Sequence, residues 1–141
     1  MRTIQKSDTL NSSSPVIIST SDSEVPIYAW YSNYTVYYYT DADVIYLNPD
    51  SSSMFNGFSR LTSVDTNNWD ASEVTSMRNM FNGCSRLTTL DLTTWETVSL
   101  TDTYYMFYNC SNLTTIYASD KFVTTNITVS TYMFRNCNNL V

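Results

Sequence analysis

Met80-Phe81-Asn82-Gly83-Cys84-Ser85-Arg86-Leu87-Thr88-Thr89-Leu90-Asp91 decides how this chain folds, because the stretch recurs. An earlier copy reads Met54-Phe55-Asn56-Gly57-Phe58-Ser59-Arg60-Leu61-Thr62-Ser63-Val64-Asp65. A later one reads Met106-Phe107-Tyr108-Asn109-Cys110-Ser111-Asn112-Leu113-Thr114-Thr115-Ile116-Tyr117. A shortened copy, Met133-Phe134-Arg135-Asn136-Cys137-Asn138-Asn139-Leu140-Val141, ends the chain. Successive Met-Phe pairs lie 26, 26 and 27 residues apart. A fixed period of this size marks stacked repeats, each burying its apolar face only against its neighbours.

The apolar residues around this stretch assign the elements of one copy. Segments 61–65, 87–92 and 113–118 read as strands. Their apolar positions face inward, and strand alternation turns Ser63, Asp65, Thr89, Asp91, Thr115 and Tyr117 outward. A connector follows, anchored by Trp69, Trp95 and Phe122. The extra residue of the last period predicts a bulge or longer turn at 118–121. Val74, Met77 and Phe81 recur at +3 and +7, which predicts a short helix. Thr75, Thr101 and Thr128 then stand as its N-caps. Gly57, Gly83, Asn109 and Asn136 stand where a left-handed residue would end it. The expected fold is an α+β repeat: a right-handed solenoid with one short parallel strand and one short helix per coil.

The flanks read differently. Residues 1–24 are rich in Ser, Thr and Asp and read as a flexible arm; the alternative makes Val16-Ile17-Ile18 a short edge strand. Residues 25–50 carry β-branched and aromatic runs on either side of Ser32-Asn33, a hairpin signal, followed by a third strand at 44–47. This block is expected to cap the repeat region, 51–141, as stacked repeats require. The cap aromatics Tyr28, Trp30, Tyr34, Tyr37, Tyr38 and Tyr39 read mostly as cap packing; alternation sends half to the core, and the outward half stays open to binding a sugar or protein.

Composition bounds the function. The 141 residues suffice for one domain with a real core. Thirteen acids against seven bases give a net charge of −6, which argues against a nucleic-acid partner. The chain has no His, which removes imidazole catalysis and His-dependent zinc sites. No apolar run is long enough for membrane insertion, and residues 1–24 contain no secretory signal. No cofactor is indicated. The three cysteines, Cys84, Cys110 and Cys137, share one slot that Phe58 fills in the first copy. Core packing is therefore favoured over a disulfide, and metal or redox chemistry comes last. Asp65 and Asp91 are spaced like a glycosidase pair, but repetition alone places them there, and the chain reads as non-catalytic.

The pattern Met-Phe-x-x-Cys-Ser-x-Leu-Thr-x-Leu-Asp, a Trp four residues on, then Val-Thr and the next Met-Phe, resembles the BspA-type leucine-rich-repeat family of bacterial surface proteins. Residues 69–81 carry the best match, and the resemblance spans 26–141. It implies a leucine-rich-repeat-like solenoid acting in adhesion at the cell surface, with no catalytic residues. The function expected is thus a binding module that presents Ser63, Asp65, Thr89, Asp91, Thr115 and Tyr117 to a protein or glycan. The alternatives are a spacer segment of a longer repeat stalk, with end-to-end self-association through the open last coil, and a small acidic intracellular binder. The first two go with a surface or secreted parent protein. The third goes with a cytoplasmic chain that is complete as it stands.

Overall fold

The computed structural model describes residues 3–10, 12–17 and 25–141. Among the described residues there are nine strands: β1 (Thr3–Lys6), β2 (Val16–Ile17), β3 (Tyr28–Ser32), β4 (Thr35–Tyr39), β5 (Ile45–Tyr46), β6 (Ser63–Val64), β7 (Trp69–Asp70), β8 (Thr89–Leu92) and β9 (Thr115–Ala118). They form a five-stranded sheet in the order β2-β3-β4-β1-β6 and two pairs, β5-β7 and β8-β9.

No helix occurs among the described residues. This overturns the α+β leucine-rich-repeat-like solenoid read from the sequence, and the leucine-rich-repeat description goes with it. Short strands in small sheets, joined by turns, are what the chain forms. The physical reason lies in the backbone of the Met-Phe stretch. Asn79 and Gly83 hold positive φ angles of 55° and 74°, which no right-handed helix accommodates. The amides of Met77, Asn79, Phe81 and Gly83 donate to Asp102, Tyr104, Met106 and Tyr108 of the next copy, at 2.8–2.9 Å. The alternate amides of Met80, Asn82 and Cys84 donate three residues back, to Met77, Asn79 and Phe81. The segment is a run of β-turns. Its turns reproduce the +3 spacing of a helix while every second amide reaches sideways. A helix of about two turns cannot repay its own nucleation, whereas these sideways bonds are repeated from copy to copy.

The threonines expected as N-caps have a different role. Thr75 Oγ1 donates to the Pro49 carbonyl at 3.1 Å, and Thr101 Oγ1 to the Thr75 carbonyl at 3.0 Å. Thr128 Oγ1 continues the series onto Thr101 at 3.4 Å. Each hydroxyl bridges neighbouring copies instead of closing a helix end.

The copies stack in register. Thr89, Leu90, Asp91 and Leu92 pair in parallel with Thr115, Ile116, Tyr117 and Ala118. Single parallel bridges link Asp50 to Ser76, Ser76 to Asp102 and Asp102 to Val129. Phe55, Phe81, Phe107 and Phe134 form a column with ring centroids 5.2, 5.6 and 5.4 Å apart. Trp69 stacks on Trp95 at 6.4 Å. Leu61, Leu87, Leu113, Met80 and Met106 fill the remaining core and are fully buried. The extra residue of the last period enters at Ala118–Ser119. Leu92 pairs with Ala118, yet the turn that closes from Trp95 to Leu92 has its counterpart between Phe122 and Ser119.

The N-terminal block forms the predicted hairpin, β3 against β4. Its two turn residues are Asn33 and Tyr34, both at positive φ (48° and 64°), the conformation that follows the twist of paired strands. The reading of 1–24 as an arm fails at 3–6. There β1 lies between β4 and β6, parallel to both, and buries Ile4. Val16–Ile17 pairs with β3 at the sheet edge, the alternative the sequence allowed, while Ile18 falls outside the described residues. Tyr38 ties the cap to the first repeat: its hydroxyl donates to the Asp65 carbonyl and receives the Trp69 indole N–H at 3.2 Å.

Candidate functional site

Strand register arranges the outward side chains in rows. Trp30 faces Tyr37 across β3 and β4, and Tyr37 faces Gln5 on β1. Because Ile4 is paired with Val64 and its carbonyl accepts the Asp65 amide at 3.0 Å, Gln5 lies beside Asp65. Asp91, the counterpart of Asp65 in the next copy, is paired with Tyr117. The row therefore reads Trp30, Tyr37, Gln5, Asp65, Asp91, Tyr117. A second row of hydroxyls runs beside it through Thr35, Thr3, Ser63, Thr89 and Thr115. Ala29, Val36, Tyr38, Ile4 and Val64 take the opposite face of the same strands, as a period of two requires.

The sequence-derived site residues hold these positions. Ser63, Thr89, Asp91 and Tyr117 are exposed, and Asp65 and Thr115 are half-buried. Thr89 stands beside Thr115 and Asp91 beside Tyr117. Between β1–β6 and β8 runs a groove of about 350 Å³, bordered by Thr3, Gln5, Ser63, Asp65, Asn67 and Asp91. Thr3 and Gln5 belong to the site yet are missing from the sequence reading, since nothing in a short polar N-terminal segment marks it as a strand. Trp30 and Tyr37 stack at one end with ring centroids 5.6 Å apart and an interplanar angle of 17°.

The carboxylates in the groove are hydrogen-bond acceptors with part of their capacity already engaged. Asp65 Oδ1 accepts the Asn67 amide at 3.2 Å. Asp91 Oδ1 accepts the Thr93 amide at 2.9 Å and the Thr93 hydroxyl at 2.7 Å, which hold its pKa below the usual carboxylate value. General-acid chemistry needs one carboxyl raised so that it keeps its proton, and Asp91 is shifted the other way. Among the described residues, no group of three or more His, Cys, Asp or Glu side chains is placed to hold a metal.

The cysteines lie apart from this face, inside the stack. Cys84 and Cys110 are fully buried and Cys137 is partly so; all three are free thiols. Each donates to the carbonyl of a phenylalanine in the preceding copy: Cys84 to Phe55 at 3.2 Å, Cys110 to Phe81 at 3.1 Å, and Cys137 to Phe107 at 2.9 Å. Burial pushes the Cys84 thiol up to about 12 and raises the other two as well. Phe58, in the same slot of the first copy, is instead 38% exposed and packs edge-on against Phe55.

A second exposed aromatic group lies along the turn edge. Tyr105 stacks on Tyr132 at 5.5 Å, and Arg78 and Arg135 sit over the rings of Tyr104 and Tyr132 at 4.0 and 4.8 Å. Tyr104 and Tyr105 are half-buried and Tyr132 remains 47% exposed, and the Tyr105–Tyr132 stack links neighbouring copies.

No curated protein and no solved structure matches the chain. Residues 48–141, the whole repeat region and two-thirds of the chain, match the family described as Mycoplasma protein of unknown function, DUF285. The chain belongs to that family.

Proposed function

We propose that the chain is a non-catalytic binding module that presents its outward strand face to an extracellular ligand. The observation that carries this reading is the continuity of the face. Strands from three otherwise separate parts of the sequence, the N-terminal segment, the hairpin and the repeats, supply one outward row from Trp30 to Tyr117, with Gln5, Asp91 and Tyr117 exposed and Trp30, Tyr37 and Asp65 half-buried. Stacked copies generate extended surfaces of this kind without further design. The motif-level resemblance to BspA-type surface proteins supports an adhesive role outside the cell. The engagement of Asp65 and Asp91 in local turns supports recognition by hydrogen bonding over proton transfer.

The test is to immobilise the full chain and screen extracellular-matrix proteins and a glycan array. The variant D65K/D91K/Y117A is compared with Tyr46→Ala, which alters an exposed tyrosine of a different sheet. The face variant should lose the ligands found and Tyr46→Ala should keep them. Ligands retained equally by both variants would overturn the assignment of the face.

A further inference from the structure

We propose that the outward face takes a linear, uncharged oligosaccharide, lying across the strands from Tyr37 to Tyr117. This inference rests on the binding-module reading and names the class of ligand. Three properties of the face point to it.

The first is the arrangement of its polar groups. Gln5 offers an amide donor and acceptor, Thr3, Ser63 and Thr89 offer hydroxyls, and Asp65 and Asp91 offer acceptor oxygens. Within each sheet these groups recur about every 4.8 Å from strand to strand, and the groove lies between Asp65 on β6 and Asp91 on β8. Sugar hydroxyls, each both donor and acceptor, match such a mixed and closely spaced array.

The second is where the aromatic rings lie. Tyr37, backed by Trp30, stands at one end of the row. Tyr117, 53% exposed, stands at the other. Three strand spacings of about 4.8 Å and the groove between β6 and β8 separate them. The apolar C–H face of a pyranose packs on a flat ring, so two rings suit the two ends of a chain of several sugars. A protein ligand would favour the reverse plan, in which aromatic anchors form a dry centre and polar groups surround it.

The third is charge. No Lys or Arg borders the groove, and two carboxylates do. The whole chain carries a net charge of −6. A sulfated or uronate polymer meets repulsion at Asp65 and Asp91, in the middle of the row, whereas a neutral polymer meets none.

Calorimetric titration of the full chain with cellohexaose, maltohexaose and N-acetylchitohexaose, with heparin as the polyanionic comparison, tests the assignment. At least one neutral saccharide should bind saturably and heparin should not. Tyr37→Ala and Tyr117→Ala should each weaken that binding about three- to tenfold, the loss expected for one stacking contact. Gln5→Ala should weaken it further, and Tyr46→Ala should leave it unchanged. Far-UV circular dichroism establishes that each variant is folded. The glycan assignment is overturned if no neutral saccharide binds, if heparin binds in preference, or if the two tyrosine variants bind like the parent. A protein ligand lost with D65K/D91K, in the absence of any saccharide binding, overturns the glycan assignment and leaves the binding-module reading standing. A chain that captures neither class on this face overturns both.

Discussion

Gly83 holds φ at +74° and Gly57 at +77°, and in the later copies Asn109 and Asn136 take the same slot at 60° and 66°. A Cβ at Gly83 would meet nothing nearer than the Gly57 Cα at 3.6 Å, an ordinary contact. The constraint is therefore conformational, not steric. Gly83→Val is expected to destabilise the chain by about 1–2 kcal/mol, the cost of a left-handed L-residue. Gly83→Asn should cost a few tenths at most, because asparagine tolerates this region. Urea midpoints of the two variants check the difference; equal midpoints would remove the conformational explanation. The cysteines make a second prediction at this scale. Free thiols ionise around 9.0, while burial holds Cys84 at about 12 and also raises Cys110. Between those values the unfolded chain has lost protons that the folded chain keeps. Stability is therefore fully present below 9.0 and falls as the pH rises toward about 12, by about 1.4 kcal/mol per pH unit for each such thiol. Tyr38, also raised by burial to about 12, adds to the decline from 10.0 upward. Denaturant midpoints taken across this range should drop, and the drop should be shallower in Cys84→Ala. At neutral pH an alkylating reagent should modify the half-buried Cys137 first and reach Cys84 and Cys110 only on unfolding.

The Met-Phe stretch shows which parts of an element can be read from sequence. One left-handed slot, Gly57, Gly83, Asn109 and Asn136, was legible, because glycine and asparagine advertise a positive φ; the slot four residues earlier, Ser53, Asn79, Tyr105 and Tyr132, was not, because serine and tyrosine give no such signal. The helix was wrongly inferred, because Val74, Met77 and Phe81 satisfy a +3 and +7 pattern that consecutive β-turns also produce. What decides between them is where the amides of Met77, Asn79 and Phe81 find their acceptors, and those lie 25 residues away. The hairpin was legible from its aromatic and β-branched runs, and the turn fell one residue later than Ser32-Asn33 suggested. Strand alternation likewise assigned the outward faces of β6, β8 and β9, which hold half of the candidate site. The β1 contribution, Thr3 and Gln5, was not legible, because it depends on a parallel pairing with β4 and β6 that no local signal announces. A helix-free stack makes its own prediction. Far-UV circular dichroism should show no helical minimum near 222 nm, and Phe81→Ala should cost about 3–5 kcal/mol because Phe81 is buried between two rings of the column. Phe134→Ala, at a site 45% exposed, should cost far less. Similar losses at both positions would mean that the column does not carry the stability of the stack.

Across the whole molecule, cap and repeats are joined in two sheets, by β5 against β7 in one and through β1 in the other. The hairpin pairs with β1 on one side and β6, at the start of the repeats, pairs with it on the other. Ile4 lies in the same buried cluster as Tyr38, Phe55 and Val64. Beside it lies an apolar recess of about 280 Å³, bordered by Val36, Leu47 and Met54 among others. The ligand row crosses this junction, from Tyr37 through Gln5 to Asp65. Ile4→Asp places a charge among these apolar groups with no partner, a change that typically costs several kcal/mol. The expected result is local. Amide exchange should accelerate in 35–39 and 63–65, where β1 supplies the neighbouring strand, while 80–92 and 106–118, which hold one another, keep their protection. Ligand binding should fall with the junction even though the Ile4 side chain takes the buried face of β1, because the two ends of the row would no longer be held in one plane. Protection lost uniformly along the chain would show instead that cap and repeats unfold as a single unit, with β1 one strand among equals.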